Sequence, residues 1–354
     1  FRHFAGTGKR GDACVLFTQS EADMMKLLCW CRHLSPENVA QFLNETELSN
    51  LMQMGLVKLH HRSGSITITT RGMQYLSSYM TLPEIKTSYH EEAIARRLRF
   101  SKIVLTVYRS GTDVFVLSSE ALSEKDGFFL SALTRDRGKN PWGNSRTAAL
   151  LHLGESIYAV HYVGQGIGHI ALLDELTTFS NQVSRLKLAD QRFLFAGESY
   201  RAILSELEQP PSQKGNKLLT YSDAYRQLRL PVHLVSCNET GSQQLRLMAV
   251  PSYRRLLTLA ALGDAYEPPP KTQTDWDALY QGHPFVMAAD MDLRRIDRAL
   301  EQAGQGQLCM AALPRQAEEV LYARYRDTGK DFSNRGRLDR CRYCRSVGRR
   351  MAAL

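Results

Sequence analysis

The stretch Ser20–Met80 constrains this 354-residue chain most. Its apolar spacing changes period in a fixed order: helix, short helix, helix, two-stranded ribbon, helix. Met24, Leu27, Leu28 and Cys31 recur at helical spacing, which predicts a first helix over Glu21–Leu34. Ser35-Pro36 is a cap followed by proline at the first helical position, so a short second helix runs to about Leu43. A third helix is expected over Glu45–Met54, and Gly55 supplies the left-handed residue that ends it. Leu56–His61 and Ser65–Thr69 then alternate around Arg62-Ser63-Gly64, with Ile66 and Ile68 facing inward and Thr67 and Thr69 outward. Thr70-Arg71-Gly72 leads into a last helix carrying Met73, Leu76 and Tyr79. This order is that of a winged helix-turn-helix, whose usual work is to hold duplex DNA.

In such a module the third helix enters the major groove. Here its polar residues are Thr46, Ser49, Asn50 and Gln53 together with Glu45 and Glu47, and it carries no Lys or Arg. Asn50 and Gln53 have the amides that pair with adenine edges. The two glutamates repel phosphate. Positive charge stands on the ribbon instead, at Lys58, His60, His61 and Arg62 beside Ser63, and again at Arg71. The ribbon is therefore the expected phosphate-contacting edge. A protein–protein adaptor role stays open because the third helix is acidic.

The formal charge of +9 points to a polyanionic partner, and its distribution sharpens that. Seven arginines (Arg335, Arg337, Arg340, Arg342, Arg345, Arg349 and Arg350) stand against one acid, Asp339, in the last stretch of chain. These arginines are expected to contact double-stranded DNA phosphates, which makes binding weaken with salt. Cys341 and Cys344 in the same tail have the spacing of half a tetrahedral zinc site. No second pair follows, so no cofactor is expected, with zinc at this pair as the alternative. The seven scattered cysteines are those of reduced thiols, which predicts a cytoplasmic protein. No apolar run reaches membrane-spanning length. Phe1 is expected to follow a trimmed start, which leaves a targeting segment open.

The remainder divides by composition. Residues 1–17 form an arm whose Gly6-Thr7-Gly8-Lys9-Arg10-Gly11 matches a nucleotide-loop pattern by letter but lacks the preceding strand. The winged module covers 18–82, an α/β domain 83–209, an α+β region 210–334 and the Arg-rich tail 335–354. In the α/β domain a basic helix His90–Phe100 (Arg96, Arg97, Arg99) precedes strands at Ile103–Tyr108 and Val114–Leu117 and an irregular stretch over 120–143. Strands at Thr147–Leu153 and Ser156–Val163, a helix to about Leu188, a strand at Arg192–Ala196 and a helix at Tyr200–Glu208 follow. Further on, a helix is expected at Tyr221–Leu228 and a hairpin from His233–Cys237 and Gln244–Val250 around Glu239-Thr240-Gly241. Two more helices are expected at Asp292–Ala303 and Arg315–Tyr325. Gly164, Gly166 and Gly168 lie between a strand and a helix, where backbone amides cradle phosphate, but they fall short of the full dinucleotide fingerprint.

The first-helix stripe, Gly55-Leu56-Val57, Ile68-Thr69-Thr70-Arg71-Gly72 and the strand–strand–helix at 147–188 together resemble the replication-relaxation family of winged-helix proteins. That family belongs to plasmids and integrating mobile elements, and the resemblance covers roughly residues 18–208. It implies a role in plasmid replication, transfer or recombination, a protein partner, and a second domain related to the restriction-endonuclease fold. A nuclease of that fold needs an acid on one strand and an acid-x-Lys on the next, to hold Mg²⁺ and activate water. The corresponding places, Ser145-Arg146-Thr147 and Ala159-Val160-His161-Tyr162, have no acid and no Lys, so the fold is expected to be degenerate. Glu155, Asp174 and Glu175 leave a rearranged site open. Tyrosines 221, 225, 253, 322 and 325 raise a relaxase, but no histidine cluster accompanies them. The expectation is a multi-domain α/β protein that binds DNA without catalysis, with a metal-dependent nuclease and a protein adaptor as alternatives.

Overall fold

The computed structural model describes residues 17–85, 90–135, 140–164, 172–184, 186, 190–210, 220–271, 275–304 and 307–325. The N-terminal arm, Gly166 and Gly168, and the whole Arg-rich tail with Cys341 and Cys344 lie outside the described residues. The chain divides into two compact units, Phe1–Lys102 and Ile103–Leu354.

In the first unit, α1 (Gln19–Cys31) starts at a reciprocal cap between Thr18 and Glu21 and buries the expected stripe. Ser35 caps the single turn α2 (Pro36–Val39), and Asn44 caps α3 (Glu45–Gln53). Gly55 follows α3 with φ +68°. β1 (Val57–Leu59) pairs antiparallel with β2 (Ile66–Ile68), placing Lys58 opposite Thr67. Leu34 bridges Ile66 from the other edge, with N–H to O distances of 3.1 and 2.8 Å. β2 thus has neighbours on both sides, and Thr67, expected outward, is buried with Ile66 and Ile68. Thr69 also turns to local work. It caps α4 (Thr70–Ser77), accepting from Gly72 N at 3.0 Å and donating to Gly55 O at 2.6 Å. Gly72 sits so close to the preceding turn that a Cβ would lie 2.3 Å from the Leu56 carbonyl oxygen. Only glycine fits there.

The basic helix does not stop at Phe100. α5 runs Glu91–Arg109, through the expected strand Ile103–Tyr108. Ile103, Val104, Leu105 and Val107 are all buried, so this end of α5 is apolar round its circumference. A helix enclosed on every side loses the polar face that betrays its period.

The second unit is built on a five-stranded sheet. β3 (Gly127–Leu130) comes from the stretch expected to be irregular, and the single turn α6 (Ala132–Arg135) follows it. β4 (Ala149–Leu153) and β5 (Ser156–Tyr162) match the expected hairpin, turning at Gly154 with φ +58°. Then come α7 (Leu172–Val183), β6 (Asp190–Gly197), α8 (Tyr200–Leu207), α9 (Tyr221–Gln227) and β7 (Val232–Ser236). The order is β3-β4-β5-β6-β7; β3, β4 and β5 are antiparallel neighbours, and β6 and β7 run parallel to β5. β3, β4, β5 and β7 are buried along their whole length, as is the second half of β6, consistent with a sheet covered on both faces.

The expected second hairpin is absent. Residues from Glu239 form α10 (Glu239–Met248), with Asn238 as its cap. Gly241 is a packing glycine rather than a turn glycine, since a Cβ would lie 1.8 Å from the Ser236 carbonyl oxygen. α11 (Tyr253–Leu262), β8 (Ala278–Tyr280), β9 (His283–Met287), α12 (Leu293–Ala303), β10 (Cys309–Ala311), α13 (Pro314–Gln316), a π turn at Ala317–Leu321 and α14 (Tyr322–Tyr325) complete the unit. β10-β9-β8 form a second sheet, parallel then antiparallel, whose core joins Leu257, Phe285, Met287 and Leu313. The protein is thus mixed α/β with three sheets among the described residues. No helix among them is long and apolar enough to cross a membrane.

Candidate functional site

Thr46, Ser49, Asn50 and Gln53 all stand exposed on α3, spaced so that they share one face. Leu51 is the only buried residue of this helix, and Gln53 Nε2 donates to Ser49 Oγ at 3.5 Å. The glutamates behave differently from a free negative charge. Glu47 accepts from Asn44 N–H at 2.9 Å while Asn44 Oδ1 accepts from Glu47 N–H at 2.9 Å, a closed capping box. Its carboxylate is spent on the positive end of its own helix. Lys58, Arg62 and Arg71 are exposed, and none has a carboxylate in ion-pair contact among the described residues.

The hairpin also carries a hydrogen-bonded chain. His60 Nδ1 meets Ser63 Oγ at 2.9 Å, Ser63 Oγ meets Ser65 Oγ at 2.8 Å, and Ser65 Oγ meets His33 Nδ1 at 2.9 Å. The two rings lie edge to face with centroids 5.3 Å apart. His60 is half-buried, whereas His33 is 1% exposed. Burial, and then the positive surroundings of His60, Arg97 and Arg32, push the His33 imidazole down to about 4. Sequence reasoning passed over His33 because a lone histidine after a helix gives no pattern.

Ser145, Arg146 and Thr147 before β4 and His161 on β5 belong to a closed polar cluster. Glu175 of α7 accepts from Ser145 Oγ at 2.5 Å, from the Arg146 N–H at 2.5 Å and from Thr147 Oγ1 at 3.2 Å. His161 of β5 completes it, Nε2 to Glu175 Oε2 at 3.0 Å. Burial alone would raise the Glu175 carboxyl; the His161 imidazole and the hydrogen bonds from His161, Ser145 and Arg146 overcome it and hold it at about 2. Glu155 and Asp174, the other acids considered for a rearranged site, are exposed. Among the described residues no group of three His, Cys, Asp or Glu is placed to hold a metal ion. Gly164 lies two residues beyond β5, and Gly166 and Gly168 fall outside the described residues.

The opposite face of the same sheet carries a second cluster that sequence reasoning missed. Asp290 is fully buried and accepts from Tyr253 OH at 2.6 Å and Arg254 Nε at 2.7 Å. Burial alone would raise its carboxyl; Arg254, Arg295 and His233 hold it well below the usual carboxylate range. Arg192 of β6 donates to Asp190 at 2.8 Å and to His233 Nε2 at 3.0 Å, while His233 Nδ1 donates to the Asp290 carbonyl at 3.0 Å. Met291 between Asp290 and Asp292 has φ +50°, a strained backbone for a non-glycine residue. The only signal in the sequence was Asp-x-Asp before a helix, which cannot be told from an ordinary cap. Tyr225 and Tyr325, weighed as relaxase nucleophiles, both donate to Asp297 at 2.8 Å.

No family model, no curated protein and no solved structure matches the chain. The site is therefore defined by its own geometry. On the first unit α3 offers a neutral amide and hydroxyl face, and the hairpin offers unneutralised cations. On the second unit both polar clusters are closed on themselves.

Proposed function

We propose that this chain is a non-enzymatic DNA-binding protein of a mobile element that grips duplex DNA through β1–β2 and α3 and docks a partner through its second unit. The observation that carries this is the exposure of Lys58, Arg62 and Arg71 without carboxylate partners among the described residues, beside a helix with exposed Asn50 and Gln53. The helix, bridge, helix, helix, hairpin order of the first unit supports a winged helix. The succession α5-β3-β4-β5-α7-β6, with β6 parallel to β5, supports a restriction-endonuclease-like core. The positions that the resemblance would give to its metal ligands, Ser145-Arg146-Thr147 and Ala159-Val160-His161-Tyr162, hold no acid and no lysine, which favours binding over cleavage. The role in replication, transfer or recombination, and the cytoplasmic setting, rest on the resemblance and the thiol pattern. A gel shift with duplex DNA at rising salt tests this. A complex at low salt that dissolves with salt is expected; no complex at low salt contradicts the proposal. Incubation of supercoiled plasmid with Mg²⁺ or Mn²⁺ is expected to give no nicking, and nicking lost in Glu175→Gln would establish the enzyme instead.

A further inference from the structure

The chain of hydrogen bonds from His33 to His60 has a direction, and its buried end sets it. His33 has its Nε2 sealed from solvent with no hydrogen-bond partner. A neutral imidazole holds one ring proton. On Nε2 that proton would be a buried N–H without an acceptor, among the rarest defects in folded proteins. On Nδ1 it donates to Ser65 Oγ, 2.9 Å away. Each serine hydroxyl has one proton to give. Ser65 therefore donates outward to Ser63, and Ser63 donates to His60 Nδ1. His60 Nδ1 is then an acceptor, and the ring proton of neutral His60 sits on Nε2, the nitrogen of this half-buried ring that the chain leaves for a ligand.

We propose that His33 is a positioning residue that fixes His60 as an outward Nε2–H donor to a phosphodiester oxygen. The site lies beside Lys58 and Arg62, so the ligand meets one oriented donor among exposed cations. Such a donor carries geometric register that a lysine ammonium does not. The inference rests on the DNA-binding proposal for its ligand but not for the relay itself.

The test reads the tautomers directly, by two- and three-bond ¹H–¹⁵N correlation of the imidazoles in the full chain at neutral pH without DNA. His33 is expected to be protonated on Nδ1, the tautomer free imidazole side chains disfavour, and His60 on Nε2. Ser63→Ala cuts the chain at the exposed tip, where folding is not at stake. It should leave His33 unchanged, turn His60 into a mixture of tautomers, and weaken duplex binding by about fivefold, the worth of one hydrogen bond. Ser65→Ala should release both rings. His33 protonated on Nε2, His60 protonated on Nδ1, or tautomers indifferent to both substitutions would overturn the relay. The expected tautomers with no duplex binding at low salt would overturn the DNA ligand and keep the relay.

Discussion

Arg62 of the first unit and Arg254 of the second hold positive charge in opposite ways. Arg62 stands exposed on the hairpin with no carboxylate in ion-pair contact among the described residues. Arg254 lies against fully buried Asp290 at 2.6 Å. The same division recurs along the chain. Lys58 and Arg71 share the condition of Arg62, while Arg192 pairs with Asp190, Arg295 with Asp277, Arg298 with Asp275 and Arg324 with Asp297, all within 3.1 Å. An arginine in a buried pair, as Arg254 and Arg295 are, has already exchanged its hydration for a carboxylate and has little left to give a phosphate. The excess charge of the chain is thus a poor guide to its contacts; what counts is which cations lack an acid. Such cations stand on both units, Lys58, Arg62 and Arg71 on the first and Arg146, Arg229 and Arg255 among those on the second, and only on the first do they stand beside a helix with exposed Asn50 and Gln53.

That contrast can be broken or sharpened, and the largest effect belongs to the second unit. Asp290→Asn removes the acid facing Arg254 and Arg295, and should cost about 3–5 kcal/mol in denaturant unfolding, with the DNA affinity of the folded protein unchanged. The same logic gives a pH dependence. The Glu175 carboxyl is held at about 2, below the ordinary value of about 4.3, so its contribution is complete above the ordinary value and disappears as pH falls through about 2. Glu175→Gln should flatten the acid limb of a stability profile. Next comes Gly72→Ala in the first unit, which pushes a methyl onto the Leu56 carbonyl oxygen and should cost about 1–3 kcal/mol. Lys58→Ala with Arg62→Ala should leave stability intact, weaken duplex binding at least about tenfold and lower the salt slope by about 2. The smallest effect is the most diagnostic. Charge alone says Glu47→Ala should improve binding, but Glu47 closes the α3 cap. It should instead cost about 1 kcal/mol of stability and give no gain in affinity.

The first unit was largely legible because its signals are local. Ser35-Pro36, Asn44 with Glu47 and Gly55 mark ends wherever the chain goes, and β4, β5 and β6 declared themselves as apolar runs between turns. The failures share one cause, tertiary enclosure. Ile103–Tyr108 is β-branched and apolar, yet burial on all sides keeps it helical within α5. Gln244–Val250 and Gly241 suggested a hairpin, but Gly241 is there so that α10 can approach Ser236. Thr67 kept the alternation of a half-exposed strand, and the bridge from Leu34 buried it. The candidate site was legible in its charges and illegible in its couplings. Nothing near Arg62 announces that His33 reaches the hairpin through two serines, and nothing around Asp290 announces that Arg254 and His233 converge on it from distant elements.

The most direct test of the account is the salt dependence of duplex binding for three proteins. These are the natural chain, the variant with Lys58, Arg62 and Arg71 each replaced by alanine, and Arg298→Ala in the second unit. The slope of log affinity against log salt is predicted to fall by about 0.9 for each of the three cations removed, and to stay unchanged for Arg298→Ala. Equal slopes for the natural chain and the triple variant would contradict DNA binding through the first unit.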